Sequence, residues 1–364
     1  MDRLSIDGIE VGAYTIPTDT HEADGTLAWD STTLVVVHLT VGHVRALGYT
    51  YADAAAAHLI AGKLAGLIDG CDPMRVAAAH RNMVAAVRNL GRPGLAAAAI
   101  SAVDTALWDL KARLLDLPLS VLLGEVHDSV AAYGSGGFTT YDDRQLTGQL
   151  AGWVEQGIRD VKMKVGAFPE DDERRVRIAR DAVGPEAGLY VDANGAYTVK
   201  QALAFAEAFA GQGVTWFEEP VSSDDLAGLR LIRDRGPAGM EVAAGEYGYD
   251  PVYFRRMLEA GAVDVLQADA TRCGGVTGFM TADALAEAHG RPLSAHTAPS
   301  LHAHLCCAAR RARNVEYFHD HARIEGMLFD GAIAPVQGRL EPDRSAPGLG
   351  LTFKRRDAER YAVS

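Results

Sequence analysis

LYVDANG (189–195), VTWFEEP (214–220) and VAAGE (242–246) are three short apolar runs that each end in a carboxylate, and their reading decides the fold of this 364-residue chain. A few apolar or β-branched residues, then an acid, then Gly or Pro close by, describe a buried strand whose polar residue stands at its C-terminal end. The intervals are 26 residues from Asp192 to Glu218 and 28 from Glu218 to Glu246. The same cadence extends both ways. DVKMKVG (160–166) places Lys164 28 residues before Asp192, VDVLQAD (263–269) places Asp269 23 after Glu246, LSAH places His296 27 later, and NVEYF places Glu316 20 after that. VAAYGS (130–135) supplies the first of eight strands. Helix-length segments such as 199–212 and 224–235 lie between the runs, with Thr198 and Ser223 as expected caps. Strand plus helix at this period, with reactive side chains at successive strand ends, predicts an α/β fold of the TIM-type (β/α) barrel with one functional rim.

Residues 1–125 have another grammar, long strands first and helices after. Arg3–Thr15 alternates loosely, and TTLVVVHLTV (32–41) followed by 45–49 around Gly42 reads as a hairpin. Helices are expected near 52–68, 73–87 and 94–115, the last with Ile100, Val103, Leu107, Leu110 and Leu114 at steps of three and four. The expected organisation is an α+β capping domain over 1–125, a catalytic barrel over 126–325, and a Gly/Pro-rich segment over 326–364 that returns to the cap. IPTDTHEADGTLAWD (16–30) reads as a loop, either functional or merely irregular.

A net charge of −13 and a pI of about 5.4 argue against nucleic acid or an anionic membrane as partner, since both select a basic face. Cys71, Cys273, Cys306 and Cys307 have no metal-like spacing, which suits a reduced compartment. With no signal-peptide core and no run of ~18 apolar residues, a cytoplasmic chain is expected.

Asp192, Glu218 and Glu246 at one rim would repel one another and stay protonated unless a cation compensates. Three hard oxygen ligands on rigid strands suit Mg²⁺. Glu219 is expected to face away from Glu218 and is left out of the ligand set. Lys162 and Lys164 point the same way, into the barrel, where each lowers the pKa of the other and lets Lys164 act as a base near neutral pH. Asp269 ends the strand before that of His296, so it can hold one imidazole nitrogen and raise the basicity of the other. Two bases then flank the metal, and such a site can move a proton on either face of one carbon.

The order KxK (162–164), D-x-N (192–194), E-E-P (218–220), G-E (245–246), Asp269, His296 and Glu316 resembles the enolase superfamily, specifically its mandelate racemase subgroup, over nearly the whole chain. The resemblance implies one Mg²⁺ on Asp192, Glu218 and Glu246, with Lys164 as one base and Lys162 as its carboxylate-binding helper. It implies His296 with Asp269 as the opposite base or acid, and a protonated Glu316 on the substrate carboxylate. Ser135 and Asn194 match site-lining polar residues, and Tyr133 and Arg272 join them as substrate-binding candidates. Loops near 16–30 and 47–52 would close over the substrate. The implied reaction is removal of the proton α to a carboxylate to give an ene-diolate, then loss of water from an acid sugar. A racemase or epimerase of a 2-hydroxy acid is the alternative, and symmetric homo-oligomers are implied.

A non-catalytic acid-binding homologue would have lost a base or ligand, and none is missing. A metal-dependent hydrolase would use His302/His304 or His319/His321, but the first pair is two apart on an expected helix and does not converge. The acids of 16–30 suit a polyhydroxylated monocarboxylate, unless Arg45, Arg272 or Arg323 reaches inward.

Overall fold

In the computed structural model, which describes residues 4–363, the chain opens with an antiparallel meander of β1 (Gly8–Ala23), β2 (Ala28–Val41) and β3 (Val44–Tyr51). Both faces of β2 are covered from Leu34 to Leu39, which is why its sequence runs LVVV at 34–37 without alternation. Leu34 and Val36 pack toward the barrel, whereas Val35, Val37 and Leu39 pack against the cap helices. Those helices are α1 (Ala55–Leu59), continued through a π-helical turn (Ile60–Leu64) into α2 (Ala65–Ile68), then α3 (Val76–Ala86) and α4 (Leu95–Leu114). α4 lies so close on β3 that a Cβ at Gly48 would meet the Ala102 carbonyl oxygen at 2.2 Å.

The stretch 16–30 is not a loop. β1 runs on to Ala23, and the tip turns at residues 24–27, where the Asp24 side chain accepts from the N–H groups of Thr26 and Leu27. Thr and Trp suit extended backbone, and the Thr15 and Thr33 hydroxyls pair across the strands at 2.8 Å. The ladder slips within it. Pro17 pairs with Ser31 and Glu22 with Trp29, so residues 18–21 form a bulge opposite Asp30, and it touches the barrel through Asp19 and His21.

After α5 (Leu119–Leu123) come eight parallel strands: β4 (Val130–Gly136), β5 (Asp160–Lys164), β6 (Gly188–Asp192), β7 (Val214–Glu218), β8 (Glu241–Ala244), β9 (Val265–Ala268), β10 (Leu293–Ala295) and β11 (Ala312–Phe318). They lie in sequence order, and β11 pairs with β4 to close the barrel. The helices between them are α6 (Asp143–Glu155), α7 (Pro169–Val183), α8 (Val199–Ala210), α9 (Leu226–Arg235), α10 (Pro251–Glu259), α11 (Gly275–Ala288) and α12 (Pro299–Ala308), with α13 (His319–Leu328) after the last strand. Thr198 caps α8 in a reciprocal box with Gln201. α9 is capped by Asp225 rather than Ser223, because the Asp225 carboxylate accepts from Gly228 N–H.

Tyr133, Tyr190, Trp216, Ala243 and Val265 fill the barrel interior below the rim. Beyond α13, Arg339–Leu340 pairs with β4, Phe329–Asp330 with Thr352–Phe353, and Ala362–Val363 with β1. No helix among the described residues is long and apolar enough to cross a membrane.

Candidate active site

The register Lys164↔Asp192↔Glu218 sets three charged ends side by side on β5, β6 and β7. Lys162, fully buried one layer down, pairs with Glu218, with Glu316 Oε1 at 2.8 Å and with Asp192 Oδ2 at 3.2 Å, and lies over the Tyr133 ring. Lys164 donates to Asp192 Oδ2 at 2.6 Å. Val161, Met163 and Val165 pack outward into the apolar core, as alternation requires.

Across the barrel, His296 Nδ1 is 2.8 Å from Asp269 Oδ2, and Asp269 Oδ1 accepts from Thr271 N–H and hydroxyl at 2.7 Å each. An ionised carboxylate only accepts, so Nδ1 carries the proton and Nε2 is left toward Glu246 and Glu316, 3.3 and 3.7 Å away. Arg272 bridges Glu246 Oε1 at 3.2 Å and Asp269 Oδ2 at 3.5 Å, with its guanidinium over Tyr247.

Asp192, Glu218 and Glu246 each offer an oxygen within 4.8 Å of the others, and all three are buried. Glu246 Oε2 is buried without a hydrogen-bond partner, as is Asn194 Oδ1. Among the described residues, six carboxyls (Asp192, Glu218, Glu219, Glu246, Asp269 and Glu316) gather about Lys162, Lys164 and Arg272, with His296 beside three of them. An oxygen-only donor set, an orphaned ligand atom and an anionic excess together fit Mg²⁺.

The charge balance reverses two expectations. Burial and Lys162 both push Lys164 down, but Asp192, Glu316 and Glu246 outweigh them and hold its pKa above the usual lysine range. The lysine pair therefore does not by itself make Lys164 a neutral-pH base. Burial pushes Glu316 up, yet Lys162, His296 and Lys164 outweigh it and bring its carboxyl down to about 2, which favours the carboxylate over the expected acid. Glu218 is pushed well up, by burial first and then by Asp192.

Two of the four substrate-binding candidates fall outside the cavity. Tyr133 is sealed beneath Lys162 with Tyr190 and Trp216, because its position on β4 lies one layer below the rim. Ser135 is fully buried and donates to Glu316 Oε1 at 2.6 Å, so it holds a site residue in place. Asn194 and Arg272 do line the cavity, which has a volume of about 390 Å³ and also exposes Lys164, Glu246, His296 and Glu316.

Glu219 stays outside the cluster of ligand oxygens, as expected, but it is not a surface group. Period-two alternation ends with β7, and Glu219 has φ of +37°, so the chain turns and leaves its carboxyl buried. Burial, then Glu246 and Asp192, push that carboxyl far up. Asn194, Thr297 and Ala298 share the left-handed backbone, at φ of +46°, +53° and +40°, which marks the turns past β6 and β10. Trp29, Thr32, Thr33 and Tyr51 of the cap complete the cavity wall. Nothing but their place beside the 16–30 and 47–52 stretches pointed to them.

The remaining histidines do not build a hydrolase centre. His302 accepts from Ala270 N–H at 2.9 Å and contacts the Thr297 carbonyl at 2.7 Å, while His304 contacts the Leu349 carbonyl at 3.1 Å. His321 stacks on Tyr51, away from His319.

With this geometry in view, residues 145–358 match the family described as enolase C-terminal domain-like, and residues 17–124 match the mandelate racemase / muconate lactonizing enzyme N-terminal domain. A solved mandelate racemase/muconate lactonizing enzyme-like protein from Rubrobacter xylanophilus is 53% identical, with a TM-score of 0.97 over 99% of this chain and 100% of that one. L-talarate dehydratase from Polaromonas sp. JS666, solved with Mg and L-glucarate, is 29% identical, with a TM-score of 0.89 over 100% of this chain and 98% of that one. Among characterised relatives, 3,6-anhydro-alpha-L-galactonate cycloisomerase of Streptomyces coelicolor is 31% identical over 96% of this chain and 98% of its own length. Arabinonate dehydratase of Saccharolobus solfataricus is 33% identical over 77% of this chain and 76% of its own.

Proposed function

The chain belongs to the enolase superfamily, in its mandelate racemase/muconate lactonizing enzyme subgroup, and we propose from that premise that it dehydrates an acid sugar with Mg²⁺ as cofactor. The observation that carries the reading is the pair of bases facing one cavity. Lys164 on β5 and His296 after β10 stand on opposite sides of a closed ring, with the carboxylate triad between them on one arc.

Asp192, Glu218 and Glu246 hold the Mg²⁺. When bound it supplies a Lewis acid that favours charge on the substrate carboxylate. Lys162 adds a fixed cation beneath the site, and Ser135 keeps Glu316 oriented. Lys164 would give up its own proton where the charge of Asp192, which holds it, is engaged by the bound cation; the free amine then takes the α-proton as the α C–H bond breaks, leaving an ene-diolate. His296, with a proton on each ring nitrogen at this step, gives the Nε2 proton to the β-hydroxyl as its C–O bond breaks, and water leaves. The enol so formed takes up a proton at the β-carbon and becomes a 2-keto acid. Asp269 holds the imidazole tautomer and stabilises its protonated form.

The substrate class we infer is a polyhydroxylated monocarboxylate. Arg45 is tied to Glu10 in a separate groove, and Arg323 is tied to Asp320 and to the Pro17 carbonyl. Arg272 reaches the cavity but is held by Glu246 and Asp269. The cap wall, with Asp24, Trp29, Thr32, Thr33 and Asp53, offers hydroxyls and acids to the substrate tail. Four unpaired cysteines, three of them buried, support a reduced cytoplasmic setting. Homo-oligomers are part of the same proposal.

Screening acid sugars for 2-keto acid release tests the reading. Release from an aldonate supports it, whereas efficient turnover of an aldarate overturns the substrate class. Inversion of the α-carbon without a keto product replaces dehydration with racemisation or epimerisation.

A further inference from the structure

The bulge of β1 meets the barrel at a second cluster of ligand-type side chains, outside the cavity. His319 begins α13, and its Nε2 lies 2.9 Å from Asp19 Oδ2. Glu22, at the inner end of the bulge, is fully buried; its Oε2 accepts the Trp29 indole N–H at 3.0 Å, and its Oε1 has no partner. One donor atom from each of Asp19, Glu22 and His319 lies within 4.8 Å of the others. Asp320 adds a further carboxylate nearby, and Arg323 is already engaged by it at 2.8 Å and by the Pro17 carbonyl.

We propose that Asp19, Glu22 and His319 form a second divalent-metal site, which ties the β1 bulge of the cap to the start of α13. The donors differ in kind from the rim triad. One imidazole nitrogen with two carboxylates suits a borderline ion such as Zn²⁺, whereas three carboxylates suit Mg²⁺. Asp19 and His319 remain part-exposed, which leaves a path for a hydrated ion and room for water as a further ligand. His319 belongs to the His-x-His pair that reads as a hydrolase motif, but its partners come from the cap, 300 residues earlier in the chain. Because the ligands span the two units, metal here would fasten the hairpin that walls the cavity.

Metal counting tests the proposal. Chelator-stripped protein is dialysed against Zn²⁺ in large excess of Mg²⁺, and bound Zn²⁺ per chain is measured beside the thermal midpoint. The wild type should hold one Zn²⁺ and melt higher with it. Glu22→Gln and His319→Asn should each bind it at least about tenfold more weakly and lose the thermal gain. Asp19→Asn, at a part-exposed position, gives the same reading should either of those fail to fold. Glu218→Gln, which alters only the rim, should keep the Zn²⁺. A wild type that takes up no Zn²⁺ overturns the proposal, as does Zn²⁺ that survives in the seam variants and leaves with Glu218→Gln.

Discussion

The rim of the barrel and the seam beneath the cap are both buried and polar, yet they are assembled in opposite ways. At the rim, reactive groups come from successive strands of one sheet, so the register Lys164↔Asp192↔Glu218 alone brings them together. At the seam, each contact joins distant parts of the chain: Thr32 to Asp320 at 2.7 Å, Tyr49 to Glu325 at 2.7 Å, Thr50 to the Thr271 carbonyl at 2.6 Å, and Trp108 to Thr277 at 2.9 Å. Charges at the rim are crowded and mutually dependent, which suits chemistry. Groups at the seam are mostly satisfied one by one, which suits docking. Changes at the rim should therefore alter turnover with little loss of fold, and changes at the seam should alter stability or closure first.

The largest expected effect is at the rim. Glu218→Gln removes a ligand charge but almost no volume, so turnover should fall at least about 10³-fold while the thermal midpoint holds. A variant that keeps most of its activity would sink the metal assignment. Next come the two bases, each worth roughly 10² to 10⁴ in rate. Lys164→Ala should lose both dehydration and α-proton exchange in D₂O. His296→Asn should lose dehydration yet still exchange the α-proton through Lys164, since the ene-diolate can form and collapse without the leaving group. If the pattern is reversed, the roles are swapped and the substrate has the opposite α-configuration. A smaller effect belongs to Ser135, which touches Glu316 but not the cavity. Ser135→Ala should lower kcat/KM by up to about tenfold, the worth of one buried hydrogen bond, and an unchanged value would mean that Glu316 needs no such support.

Glu325 sharpens the contrast from the seam side. Burial raises its carboxyl to about 7, against hydrogen bonds from Ser300 and Tyr49 that lower it. A folded-state pKa above the unfolded value of 4.5 means that the folded state binds the proton more tightly. The stabilising contribution is full below about pH 4.5 and is lost as the pH rises through 7, on the order of 3 kcal/mol over that window. Glu325→Gln, a neutral isostere, should match the wild type near pH 5 and show a flatter fall in thermal midpoint up to pH 8. An equally steep fall would remove Glu325 from the account.

Legibility followed the same division. Eight residues on or just past seven of the strands, Lys162, Lys164, Asp192, Glu218, Glu246, Asp269, His296 and Glu316, stood out because a βα period and strand alternation project directly onto a barrel. The cap strands were visible in outline, but residues 16–23 read as loop because Pro17 and the slipped register interrupt their alternation. Glu219 was rightly left out of the ligand set, but its burial was not legible, because it turns into left-handed backbone just past β7. Tyr133 was misplaced by depth, since strand position sets the face of a side chain and the stagger of the barrel sets its layer.

By itself, then, the sequence determined the architecture and the identity of the reactive groups, since both follow from local periodicity and chemical type. Tertiary structure decided their charge states and company. Whether neighbours push Glu316 and Lys164 up or down, and whether His319 meets Asp19 rather than His321, all depend on groups far away in the chain. Electrostatic energy acts through space, in a buried medium that screens weakly, and no spacing along the chain records those distances.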